Sequence, residues 1–136
     1  MKKEIAIKTA AKWWTDKLRQ RTPHDNGDNS PASVFACIFA DMATDEVTED
    51  KLAVFTAELE HQIQEHMENI NDRYVCLDCD YAPCTLLRES ADAAGINRIN
   101  FPFKTDMAIE QNSDNGYRVR VSDGYAQPWA DLPACE

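Results

Sequence analysis

Ile7, Ala11, Trp14 and Leu18 recur at steps of four, three and four residues, the period of one helical stripe, and lysines occupy much of the remaining circumference. This predicts a first helix over 3–20. Trp13 sits about 100° around the helix from Trp14, so one tryptophan is expected in the core and the other at its boundary. Thr22-Pro23 is expected to end the helix, because proline disfavours helical geometry in the residue before it. A polar loop follows, from His24 to Asn29. Ser30-Pro31 then supplies an N-cap and a first helical residue. The segment from there to about Met42 is apolar nearly all round and predicts a buried central helix, with Cys37 as a small buried hydrophobe.

After an interruption from Thr44 to Thr48, Leu52, Phe55, Leu59, Ile63, Met67 and Ile70 step by three and four. They predict a third, amphipathic helix with Glu58, Glu65 and Glu68 on its other face, started by Thr48 with Glu49 and Asp50 in its first turn. The period then changes to two. Val75, Leu77, Cys79 and Tyr81 alternate with Cys76, Asp78 and Asp80, as in a strand with one buried face. Pro83 fits the first turn of a fourth helix through Leu86, Leu87, Ala91 and Ala94, and Gly95 suits its left-handed C-terminal position. Thr105–Gln111 and Tyr117–Val121 flank Asn115-Gly116, the strongest short signal for a hairpin. The tail around Tyr125 and Trp129 reads as irregular and aromatic. The order predicts an α+β fold: three N-terminal helices, then β-α-ββ, with a small three-stranded, largely antiparallel sheet packed on helices.

A chain of 136 residues with 43% hydrophobic content can build one core without disulfides, so a single domain over 1–136 is expected. The N-terminal stretch is interrupted by Lys8, Lys12 and Asp16 and does not read as a signal peptide, and no run approaches the roughly 20 apolar residues of a membrane span. Five cysteines, three of them within nine residues, do not resemble a secreted disulfide framework. A cytoplasmic location is the expectation.

The net charge of −10 is unevenly distributed. Residues 1–21 carry seven cations against two acids, a balance of +5, whereas residues 22–72 carry twelve acids against Lys51 alone, a balance of −11. Such a surface repels phosphate, so direct nucleic-acid binding is not expected, while a basic protein partner suits it.

Candidate chemistry is sparse. Cys76, Cys79 and Cys84 include one C-x2-C, half of a common zinc pattern, without a second half nearby in sequence. In a strand Cys76 and Cys79 would also face opposite sides. His61 and His66 lie five apart and do not share a helical face, and no nucleophile elbow, P-loop or dinucleotide glycine pattern is present. Lys104 and Asp106, with Arg118 and Arg120 across the hairpin, form a mixed-charge face that cross-strand ion pairing explains.

Several short segments carry a resemblance: Ala11-Lys12-Trp13-Trp14, Asp25-Asn26-Gly27-Asp28, Asp80-Tyr81-Ala82-Pro83, Ala93-Ala94-Gly95-Ile96, Phe101-Pro102-Phe103-Lys104-Thr105-Asp106-Met107 and Gly124-Tyr125. Together they resemble small uncharacterised proteins of intestinal anaerobic bacteria, often found near phage-like or conjugative elements. The resemblance implies an accessory or inhibitory factor of a mobile element and assigns no residue a role.

The expected function is that of a non-catalytic acidic interaction protein, without cofactor, metal or membrane. It would meet a basic protein through the acidic face of the second and third helices and the loop before them, namely Asp25, Asp28, Glu58, Glu65 and Glu68. One alternative is a small enzyme or ligand-binding domain with a pocket near Asp25, Asp28, Lys104 and Asp106. Another is a metal-binding module built on Cys76, Cys79 and Cys84.

Overall fold

The structure is a computed structural model that describes residues 1–20, 24, 27–44 and 46–135. The sequence expectations at Thr22-Pro23 and Asp25 lie outside these residues. Helix α1 spans Lys3–Gln20, α2 Pro31–Ala43, α3 Glu49–Asn69 and α4 Thr85–Ala94. Strands β1 (Tyr74–Cys79), β2 (Thr105–Gln111), β3 (Tyr117–Asp123) and β4 (Ala130–Asp131) form one antiparallel sheet in the order β1-β2-β3-β4.

The fold is α+β, with a four-stranded sheet in place of the expected three. The tail supplies the extra strand: Ala130 and Asp131 pair with Val121 and Arg120, and the Leu132 N–H donates to the Val119 carbonyl at 2.8 Å. Two residues flanked by Pro128 and Pro133 make too short a run for a period-two signal, so this strand exists because β3 offers it an unpaired edge.

Local signals set most boundaries. The Thr48 hydroxyl accepts the Lys51 N–H at 3.3 Å and caps α3. Gly95 closes α4 at φ 70°, with the Ile96 N–H returning to the Ala91 carbonyl at 2.9 Å, the six-to-one bond of a Schellman cap. Pro83 stands outside α4, whose N-cap is Cys84, and instead bridges to Cys79. In the hairpin Asn115 takes φ 66°, and the Asn112 N–H donates to the Gly116 carbonyl at 2.7 Å.

Helices α1, α3 and α4 cover one face of the sheet. Their stripes meet Val75, Leu77 and Cys79 of β1, Met107 and Ile109 of β2, and Tyr117, Val119 and Val121 of β3 in one core. Trp14, Phe55 and Phe101 lie at its centre, with ring centroids 6.0 Å apart for Trp14–Phe101 and 5.9 Å for Phe55–Phe101. Trp13 is half-buried at the margin, as the helical angle requires. Two positions assigned to the buried stripes leave them: Ile70 caps α3 and is exposed, and Tyr81 lies beyond β1 and is exposed. Basic α1 packs on acidic α3, where Arg19 binds Glu49 at 2.8 Å.

Helix α2 overturns its expectation. None of its residues joins the central core, and within it only Ala40 is buried. Cys37 is half-buried.

Candidate protein-docking surface

Helix α2 forms where the sequence places it because its start is capped twice. The Ser30 hydroxyl accepts the Ser33 N–H at 3.3 Å, and Pro31 occupies the first turn. Asp28 reinforces the cap: its carboxylate accepts the Ser30 N–H at 2.9 Å and the Ser33 hydroxyl at 2.7 Å. The Ser30 N–H first, and then the Ser33 hydroxyl, hold the Asp28 carboxyl below its ordinary range. At the other end Thr44 is extended, and its hydroxyl donates to the Asp41 carbonyl at 2.8 Å.

A histidine ties this helix to the body. The His24 side chain is fully buried, and its Nδ1 lies 2.6 Å from Asp41 Oδ1. The same oxygen accepts the His24 backbone N–H at 2.7 Å. On the other side of the ring Nε2 lies 2.9 Å from the Ile99 carbonyl and 3.0 Å from that of Phe101, while the Phe103 ring packs at 4.5 Å. Oxygen atoms thus face both ring nitrogens, one from α2 and two from the segment before β2. The ring joins α2 to the segment before β2.

Away from the buried Ala40 the helix presents apolar surface. Val34, Phe35, Ile38, Phe39 and Met42 are 44%, 61%, 48%, 65% and 76% exposed, and the Phe35 and Phe39 rings stack at 6.3 Å. An all-apolar helix is ordinarily buried, and a contiguous exposed apolar patch rimmed by polar residues marks an interaction surface. These five residues were not legible as a site. Their signal, a run from Asn29 to Ala40 without one charged residue, is the same whether the covering surface belongs to this chain or to another.

The expected site residues do not gather here. Asp28 serves the α2 cap, and α2 carries a single acid, Asp41, so it has no acidic face. Glu58, Glu65 and Glu68 lie along α3, where Glu58 accepts from Gln62 at 3.1 Å and Glu65 lies 3.3 Å from His61. Lys104 takes φ 55°, binds Asp80 at 2.7 Å and lies over the Tyr81 ring at 4.4 Å.

Asp106 stands directly opposite Asp78 across β1 and β2. Burial first, and then Asp78 and Asp80, push its carboxyl above the ordinary value. Arg118 and Arg120 pair with Glu110, at 2.9 and 2.6 Å, rather than with the Lys104/Asp106 end of the hairpin.

The thiols divide between the two faces of the sheet. Cys76 is exposed on the open face and Cys79 buried under the helices. Burial, followed by Cys84 and Asp78, pushes the Cys79 thiol up to about 12, and burial also raises Cys76 and Cys84. Among the described residues no three His, Cys, Asp or Glu side chains are grouped to hold a metal ion, and no helix is long and apolar enough to cross a membrane.

A groove of about 400 Å³ opens elsewhere, between α1 and the C-terminal tail, lined by Trp13, Lys12, Asp16 and Leu132–Cys135. Lys12 and Asp16 bind each other at 3.0 Å across its rim.

The fold and this surface define a small α+β protein with a presented apolar helix. Compared with family models and with curated proteins, the sequence matches none of them.

Proposed function

We propose that this protein is a non-catalytic interaction protein that docks polypeptide on the exposed face of α2. The observation that carries the reading is the helix itself: capped at its start, anchored through Asp41 to the buried His24 ring, and turned so that two stacked phenylalanines face outward. Holding an apolar helix outside the core through a buried histidine makes physical sense when the helix is used there. The acidic balance of the chain, including Glu58, Glu65 and Glu68 on α3, favours encounter with basic proteins. An accessory or inhibitory role in a mobile element, as the sequence resemblance implies, fits a protein that acts by contact.

The alternative readings have less support. Asp28 and Lys104 spend their charges on Ser30, Ser33 and Asp80, and the thiols of Cys76 and Cys79 lie on opposite faces. The test is affinity capture from the native cell with wild type and a Phe35→Glu/Phe39→Glu variant, followed by rebinding of the captured protein in purified form. A captured protein that rebinds wild type and is lost with the double variant is expected. A partner set untouched by the variant would overturn the reading.

A further inference from the structure

We infer that the polypeptide covering α2 is a second copy of this chain, in a two-fold symmetric antiparallel helix pair. The inference rests on the reading of α2 as a docking element and names its occupant.

Area is the first argument. At roughly 180 Å² of full surface for side chains of this size, the exposed fractions of the five apolar residues leave on the order of 500 Å² per chain. Two copies face to face would then bury about 1,000 Å², the lower limit for a specific interface. The outward side of one helix suffices without help from the rest of the molecule.

Shape is the second. Pro31, Phe35, Ile38 and Met42 follow steps of four, three and four, the seam of a helix that packs against another helix at a shallow angle. Phe39 and Ala36 flank the same side of that seam. Antiparallel pairing about a point between residues 37 and 38 sets Phe39 of each copy over Ala36 of the other, a large side chain against a small one. An isologous contact requires this self-complementarity, because the same patch must serve both partners.

Charge is the third. Each copy carries −10, so most approaches of two copies bring like charges together. The residues from Asn29 to Ala40 form the longest uncharged run in the chain, and Asp41 beyond it is held by His24. Helix α2 therefore offers two copies a contact free of facing acids. Its flanks also carry no charged pair of the kind that selects a different helical partner.

The experiment is sedimentation equilibrium of the full chain at low and high salt. Wild type is expected to dimerise with a dissociation constant on the order of micromolar, as suits an interface of this size. Salt should tighten the dimer, because it screens the repulsion between two acidic bodies while leaving apolar contact intact. A basic partner would respond to salt in the opposite direction. Phe35→Glu/Phe39→Glu should be monomeric with unchanged far-ultraviolet circular dichroism, since both positions face solvent in the single chain.

Ala36→Leu supplies a second variant. It keeps the helix and its hydrophobicity but fills the hollow under Phe39, and should weaken dimerisation at least tenfold. A wild-type monomer at about a hundred times that constant would overturn the second-copy inference. So would a dimer indifferent to all three substitutions. The docking reading itself survives the first result if the purified basic partner still needs Phe35 and Phe39, and falls with it if that partner does not.

Discussion

His24 Nδ1 and Asp41 Oδ1 lie 2.6 Å apart, and this pair fastens a surface helix to the body of the protein. The histidine side chain is fully buried and the aspartate side chain 41% exposed, so the two ends of the contact differ in cost. Removing the carboxylate leaves a buried ring nitrogen without its charged acceptor, a loss of about 1–3 kcal/mol. Asp41→Ala is therefore expected to loosen α2 selectively. Hydrogen exchange should show α2 amides losing about tenfold or more in protection while α1 and α3 keep theirs. Unchanged α2 protection would show that the helix is held by something else.

Two carboxylates on the open face of the sheet should respond to pH in opposite senses. The Arg120 guanidinium, with Arg118 beside it, holds Glu110 below the ordinary carboxylate range, so its contribution is present at neutral pH and lost as pH falls through its folded value. Burial and Asp78 raise Asp106, so the folded state prefers that group protonated, and stability is lost as pH climbs past the ordinary carboxyl value. Glu110→Gln should cost up to about 1 kcal/mol at pH 7, and Asp106→Asn should gain a similar amount by removing a like-charge pair directly across the strands. The urea midpoint of Asp106→Asn should converge with wild type near pH 3, and that of Glu110→Gln should approach wild type as pH falls. Equal effects at both pH values would remove the electrostatic account.

The cysteines offer a chemical map of the sheet's two faces. With its thiol pushed to about 12, Cys79 has a thiolate fraction on the order of one in ten thousand at pH 8, and the core also shields it. Cys76 is exposed but raised by burial of part of its surface and by Asp78 and Asp106. Timed alkylation read by peptide mass spectrometry should label Cys76 more slowly than a free thiol and Cys79 only on unfolding. Simultaneous labelling of the two would place β1 in a different register.

The helices with mixed composition could be read directly, and α2 could not, for a reason visible in the residues. In α1 and α3 polar side chains mark the solvent side, so the stripes through Trp14 and Phe55 identify the buried side without any knowledge of partners. In α2 no polar face exists to compare with, and hydrophobicity alone reports that the helix is covered without reporting by what. The His24 anchor was equally hidden. Its partners are Asp41 and the carbonyls of Ile99 and Phe101, contacts separated by 17 to 77 positions, and no local pattern signals them. The like-charge pair Asp78/Asp106 became visible only once strand register was known.

Gly27 and Tyr125 provide a test of how the loop before α2 is seated. Gly27 takes φ 73°, in the left-handed region, and a Cβ at this position would stand 2.2 Å from Cδ1 of the Tyr125 ring. Gly27→Ala thus brings two costs, a backbone strain of about 1 kcal/mol and displacement of the tyrosine from the loop. Tyr125 is 52% exposed and can swing outward, so the second cost is the loss of its packing rather than a rigid clash. A double-mutant cycle separates them. In a Tyr125→Ala background the glycine substitution should retain only the backbone strain, giving a coupling energy of about 0.5–1 kcal/mol between the two positions by urea unfolding. Zero coupling would mean that the ring does not rest on Gly27.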